Sequence, residues 1–158
     1  MYKATYPLLI ESRMKNPALP PPKFFITSSS LGSMGGFYPG MLIAPYGMSK
    51  AAANYLALSI HHQTESAGAV VVPYNPGMSI TFFTSNATDS LFLDFCGIGL
   101  DLTDMLTKNG GGIDFSAVPG AISPEQGGAD YAEILLKATR SEHGGKFLSQ
   151  GVEGPLPW

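Results

Sequence analysis

A parallel α/β fold, with a sheet of about three strands and flanking helices, is predicted by three observations. Two short apolar runs, at 23–28 (Lys23, Phe24, Phe25, Ile26, Thr27, Ser28) and 69–74, are closed by turn residues, as buried strands are. Between them lies a breaker-poor stretch long enough for a substantial helix. A second helical stretch then leads to a third short run at 144–149. Strand, helix, strand, helix, strand calls for crossovers rather than hairpins, and so for a parallel sheet with right-handed connections.

Taken in order, residues 2–14 place Tyr2, Tyr6, Leu9, Ile10 and Met14 at helical spacing, and the run stops before Asn16-Pro17. Residues 17–22 form a stiff, proline-rich connector into the first strand. The stretch 28–44 holds Gly32, Gly35, Gly36, Gly40 and Pro39, which makes it a loop on that strand's C-terminal end. From Pro45 to about residue 65 only Gly47 interrupts, and proline suits a first helical position. Met48, Ala52, Tyr55, Leu56, Ser59 and Ile60 keep one face of this helix apolar or small. The Val-rich second strand ends at Asn75-Pro76-Gly77. A long irregular part follows over 78–122, with short helices expected at 91–95 and 100–106 and a break at Gly110-Gly111-Gly112. Ser123-Pro124-Glu125-Gln126 is a helix start, in which Ser123 caps the amide three residues on and Gln126 reaches back. That helix runs to about residue 139, and the tail ends in Pro155-Leu156-Pro157-Trp158. No repeat or linker divides the chain, so residues 1–158 read as one domain.

Composition narrows the function. Of 158 residues, 44% are apolar and 13% charged, which suits a folded domain and not a disordered one. Nine basic residues against 12 acidic ones, a net charge of −3, argue against a nucleic-acid binder. No run of apolar residues is long enough for a membrane span, and no basic-then-apolar leader opens the chain. The single cysteine, Cys96, has no partner for an internal disulfide and reads as a small buried apolar residue. A reducing, cytoplasmic compartment is the expectation.

Three residues carry the chemistry. Tyr46 and Lys50 are four apart at the start of a helix and share a face. An ammonium beside a phenol stabilises the phenolate and lowers the tyrosine pKa, which equips it as a general acid/base. Ser29 follows a parallel strand, where α/β folds gather ligand-contacting groups, and its hydroxyl can hold a substrate oxygen against the tyrosine. An isolated Tyr-x-x-x-Lys pair is common on helices, and its plain reading is an exposed lysine over a buried tyrosine. His61, His62 and His143 lack metal-ligand spacing and read as solvated, so no metal site is expected. Asp89, Asp94, Asp101, Asp104 and Asp114 are scattered and read as loop-solvating or helix-capping groups.

The pair is not isolated. Phe25-Ile26-Thr27-Ser28-Ser29-Ser30-Leu31-Gly32-Ser33, then Tyr46-Gly47-Met48-Ser49-Lys50-Ala51-Ala52, then Asn75-Pro76-Gly77 with Thr81, resembles the short-chain dehydrogenase/reductase family. The opening Lys3-Ala4-Thr5-Tyr6-Pro7-Leu8-Leu9 and the closing Gly145-Lys146-Phe147 with Leu156-Pro157-Trp158 look like its fungal polyketide ketoreductase branch, that of norsolorinic acid ketoreductase. The resemblance implies a truncated Rossmann-like sheet and catalytic roles for Ser29, Tyr46 and Lys50. It implies substrate contacts from Ser30, Pro76, Gly77, Met78, Thr81 and Phe82. It also makes the Met- and Phe-rich 78–122 stretch a substrate cover as much as a core.

What the family pattern has and this sequence lacks shapes the expectation of function. Family members open with a strand, a Gly-x-x-x-Gly-x-Gly turn and a helix that cradle the dinucleotide pyrophosphate. No such turn occurs here, and the family's catalytic asparagine would lie upstream of Met1. The chain therefore resembles a C-terminal half, and no cofactor is expected. Were NADP bound after all, Tyr46, Lys50, Pro76, Gly77 and Thr81 would meet it. The leading expectation is a cofactor-independent acid/base enzyme acting on a carbonyl-bearing, polyketide-like small molecule by isomerisation, dehydration or cyclisation. The alternatives are an NADP-dependent ketoreductase of which this is a fragment or one half, and a non-catalytic interaction module. A homodimer or higher homo-oligomer, with domain swapping as one route to it, is expected through the helices at 2–14 and 46–65, to cover the bare edge of the first strand.

Overall fold

The computed structural model describes residues 2–37, 39, 44–77 and 122–158. Helix α1 (Tyr2–Tyr6) passes through a π-helical turn (Pro7–Glu11) into α2 (Ser12–Lys15). Pro7 supplies the reason: it has no N–H to donate and its ring crowds the preceding turn, so the ladder widens there. Strand β1 (Lys23–Thr27), helix α3 (Ala44–Gln63), β2 (Val70–Asn75), α4 (Pro124–Lys137) and β3 (Leu148–Ser149) complete the fold. Short 3-10 turns at Ser30–Gly32 and Glu65–Ala67 flank α3.

The sheet is parallel in the order β1-β2-β3, with Lys23 opposite Val70, Thr27 opposite Tyr74, and Tyr74 opposite Leu148. This is the α/β, Rossmann-like three-stranded sheet that the sequence predicts. Its third strand is shorter than expected, because Gly144 and Gly145 belong to a turn rather than to the strand. Gly145 has φ +68° and donates its amide to Val71 O at 2.8 Å. The expected helices at 91–95 and 100–106 lie outside the described residues.

Side chains alternate across the sheet and sort the core into two layers. Phe24, Ile26 and Val71 pack with Ala57 and Ile60 of α3 and with Ile10. On the other face Phe25, Val70, Val72 and Tyr74 pack with Tyr131 and Ile134 of α4 and with Ala138. Helices α3 and α4 thus cover opposite faces of strands that follow one another in order, so the two crossovers have opposite hands. Right-handedness holds for one of them only. Strand β2 is buried from Val70 to Tyr74, whereas all of β1 is half-buried and its outer edge has no partner among the described residues.

Two polar ties hold the layers together. Arg140 donates to Ala69 O and, at 2.9 Å, to His61 O, fastening the turn after α4 to the start of β2. Lys23 Nζ donates to Leu135 O at 2.8 Å, placing a cation on the C-terminal carbonyls of α4. Ser123 caps α4 as expected, accepting from Gln126 N at 3.2 Å. The reciprocal half of that cap does not form: the Gln126 amide donates instead to Asp130 Oδ1 at 2.6 Å, one turn on. Among the described residues no helix is long and apolar enough to cross a membrane.

Candidate active site

The site lies where β1 ends and α3 begins. Past Thr27 the chain stays extended through Ser28 and Ser29 (Ser29 φ −148°, ψ 146°), then tightens into the Ser30–Gly32 turn. Alternation sends the Ser28 side chain inward, 2% exposed, where its hydroxyl donates to Asn54 Oδ1 at 2.5 Å. Ser29 Oγ accepts the Leu31 amide at 3.3 Å, which leaves its own proton free to donate.

Two glycines let this turn lie directly on α3. A Cβ on Gly32 would stand 2.7 Å from the Lys50 carbonyl carbon, and one on Gly47 would stand 2.9 Å from Leu31 O. That approach brings the Ser29 hydroxyl within hydrogen-bonding reach of the Tyr46 hydroxyl. One helical turn on, Lys50 Nζ lies 5.5 Å from the Tyr46 ring centroid and donates to Thr27 O at 3.4 Å. Ser29, distant in sequence, therefore joins Tyr46 and Lys50 in one cluster.

The electrostatics depart from the sequence expectation. Burial pushes the Tyr46 phenol above its ordinary value, and the Ser29 hydrogen bond pulls it only part of the way back. Burial likewise lowers Lys50. The expected lowering of the tyrosine by the lysine is not found, because the ammonium sits over the ring and gives its hydrogen to a carbonyl rather than to the phenolic oxygen. At neutral pH Tyr46 is a phenol, and thus a proton donor.

Ser30 is exposed on the same turn, and Pro76 and Gly77 follow β2 at the strand ends that carry Ser29. Gly77 has φ +79° and is packed under Gln150, whose Oε1 would stand 2.8 Å from an added Cβ. Met78, Thr81 and Phe82 lie outside the described residues. Sequence reasoning missed Asn54, although a lone amide four residues past Lys50, on its face, was a signal. It also missed the C-terminal tail. Pro157 O accepts from Ser33 Oγ at 2.6 Å and Trp158 O accepts from Gly35 N at 2.6 Å, a long-range contact that leaves no local trace.

The described residues do not fit a dinucleotide as a whole. Were a dinucleotide bound, the resemblance would set Tyr46, Lys50, Pro76 and Gly77 against its nicotinamide end, but no glycine-rich turn between a strand and a helix offers a pyrophosphate cradle among the described residues. Backbone amides of the glycine-rich loop are already committed: Gly32 N donates to Ser29 O at 2.8 Å, Gly35 N to Trp158 O, and Gly36 N to Ser33 Oγ at 2.8 Å. No group of three His, Cys, Asp or Glu that could hold a metal ion occurs among the described residues. A groove of 440 Å³ opens on the opposite, α4 side beside Tyr74, Asp130 and Gln150, away from the cluster. Burial, with Asp130 and Tyr131 nearby, pushes Tyr74 there up to about 12. Asp130 itself is held by Gln126 and, at 3.0 Å, by Gln150.

No protein-family profile matches the chain. It is similar to an uncharacterized oxidoreductase of Schizosaccharomyces pombe, with 30% identity over 99% of this chain and 52% of that protein. Short chain dehydrogenase gsfK of Penicillium aethiopicum is 32% identical over 94% of this chain and 49% of its own length. Among solved structures, the carbonyl reductase Sniffer of D. melanogaster superposes with a TM-score of 0.64 at 23% identity, over 99% of this chain and 51% of that one. An NADPH-bound carbonyl reductase from chicken fatty liver gives a TM-score of 0.66 at 18% identity, over 99% and 51%. The chain spans about half the length of the curated relatives it matches. Its fold is that of these carbonyl reductases over the same span.

Proposed function

We propose that this chain is the substrate-side half of a short-chain dehydrogenase/reductase scaffold, working as an acid/base catalyst on the carbonyl oxygen of a small molecule. The observation that carries this reading is the assembled Ser29–Tyr46–Lys50 cluster, with a protonated tyrosine whose hydroxyl is shared with a serine. Two hydroxyl donors facing one carbonyl oxygen stabilise the charge that develops there as the carbonyl becomes an enol or enolate. Tyr46 delivers a proton to that oxygen or holds it by a hydrogen bond, Ser29 is the second donor, and Lys50 provides fixed positive charge behind the ring. Enolisation, dehydration and cyclisation need no more than this from the oxygen side. The proton lost from the α-carbon passes to solvent base, solvent returns the proton that Tyr46 gives, and dehydration releases the departing hydroxyl as water. The substrate class is carbonyl-bearing and polyketide-like, as the resemblance of the opening and closing segments to the fungal polyketide ketoreductase branch implies.

A second reading is favoured by the lengths and names of the relatives: the same cluster serves an NADP-dependent reduction when a separate polypeptide, or more of the same one, supplies the phosphate cradle. Under either reading the chain self-associates. Met48 (72% exposed), Tyr55 (76%) and Leu8 (75%) leave apolar surface on the helices at 2–14 and 46–65, and β1 has a strand edge with no partner among the described residues.

The decisive experiment uses an aryl β-diketone in D2O with no nucleotide present, following deuterium entry at the carbon between the carbonyls by NMR. The chain is expected to accelerate exchange, and Tyr46→Phe to slow it by about a hundredfold while the fold survives. Equal exchange rates with Tyr46→Phe and wild type would refute the role given to Tyr46.

A further inference from the structure

The turn that bears Ser29 is short, exposed on one side, and followed by a glycine-rich loop, so something has to fix its position against α3. The buried amide of Asn54, 3% exposed, is the group placed to do so. It lies on α3 one turn after Lys50 and two after Tyr46, facing the turn. Its Oδ1 accepts from Ser28 Oγ at 2.5 Å and its Nδ2 donates to Gly32 O at 3.4 Å. The two partners bracket Ser29: one is its immediate neighbour, the other closes the 3-10 turn. A carboxamide supplies an acceptor and a donor at once from one planar group, and the flipped orientation would set two oxygens against each other at Gly32.

We propose that Asn54 is a positioning residue: its carboxamide straps Ser28 and Gly32 at the two ends of the turn and so holds the Ser29 hydroxyl on Tyr46. The proposal rests on the reading of Ser29 and Tyr46 as one working pair, and adds to it the residue that sets their geometry. Asn54 touches no substrate position itself and acts through Ser29. A merely structural asparagine would lower stability without altering Tyr46, so the readout has to be the tyrosine.

The test labels the full chain with 3-fluorotyrosine, whose fluorine brings phenol ionisation into a range where the protein stays folded, and follows each ring by 19F NMR against pH. Tyr46→Phe identifies the Tyr46 signal among the seven tyrosines. Ser29→Ala is expected to raise the ionisation midpoint of that ring by about half a pH unit or more, roughly a threefold loss of acidity. Asn54→Leu is expected to raise it comparably, and the double variant to go no further than Ser29→Ala alone, since both act through one contact. If Asn54→Leu does not fold, Ser28→Ala takes its place, removing the other end of the same strap with the smallest change of volume. A folded Asn54→Leu or Ser28→Ala chain with Tyr46 unmoved, while Ser29→Ala moves it, overturns the role of Asn54 alone. Ser29→Ala leaving Tyr46 unmoved overturns the pairing on which the proposal rests.

Discussion

Replacing Gly32 by alanine tests whether the close approach of turn and helix makes the site. The added methyl would stand 2.7 Å from both the carbonyl carbon and Cβ of Lys50, and 2.9 Å from Ala51 N. Carbon atoms rest at about 3.5–4.0 Å from one another, so turn and helix have to part by roughly 0.8 Å or more. The obstacle is helix backbone, which cannot rotate aside as a side-chain tip does. Overpacking of this kind costs about 1–3 kcal/mol of stability. The same displacement separates Ser29 from Tyr46, and a misplacement near 1 Å costs on the order of a hundredfold in rate. Denaturant unfolding measures the first effect and carbonyl-α deuterium exchange the second. Gly128→Ala is the control: an added Cβ in α4 meets nothing within 4 Å, so that variant is expected to gain about 0.5–1 kcal/mol from helix propensity. Gly32→Ala with wild-type stability would show that the turn is not pressed on the helix. Gly32→Ala that loses stability but keeps full exchange activity would break the link between this packing and the site.

Calorimetric titration of NADPH into the chain alone is expected to show no micromolar binding, since the glycine-loop amides are already committed and no phosphate cradle occurs among the described residues; a micromolar dissociation constant would overturn that. Burial, with Arg140 and His62 nearby, lowers the His61 pKa, and Glu65 opposes this more weakly. The folded state therefore binds fewer protons than the unfolded one, and stability falls as pH drops below about 6.5. Unfolding curves at a series of pH values across that point check the sign, and His61→Phe, which keeps a ring on Gly144 and Gly145, is expected to flatten the dependence. Light scattering is expected to report a dimer or larger assembly, and Tyr55→Glu on the exposed face of α3 to shift it towards monomer; a stable wild-type monomer at low micromolar concentration would refute self-association.

Elements whose signal is local were legible in the sequence. Breaker spacing marked α3, the Ser123 cap marked α4, and apolar runs between turn residues marked β1 and β2, because each depends on residues a few positions apart. Ser29, Tyr46 and Lys50, the proposed site, stood out in the sequence for the same reason, each sitting in a short motif. Their electrostatics were not. Whether a lysine lowers a tyrosine depends on where its ammonium points, and tertiary packing turned that of Lys50 to Thr27 O while burying the Tyr46 phenol. Gly32 and Gly47 read as helix or loop breakers, yet what they do is let two backbones touch. The strap from Asn54, the tail clasped by Ser33 and Gly35, and the opposite hands of the two crossovers all join residues far apart along the chain. Such contacts form only after the layers have packed, so local patterning carries no record of them, and three-dimensional packing alone decided how the motif residues meet.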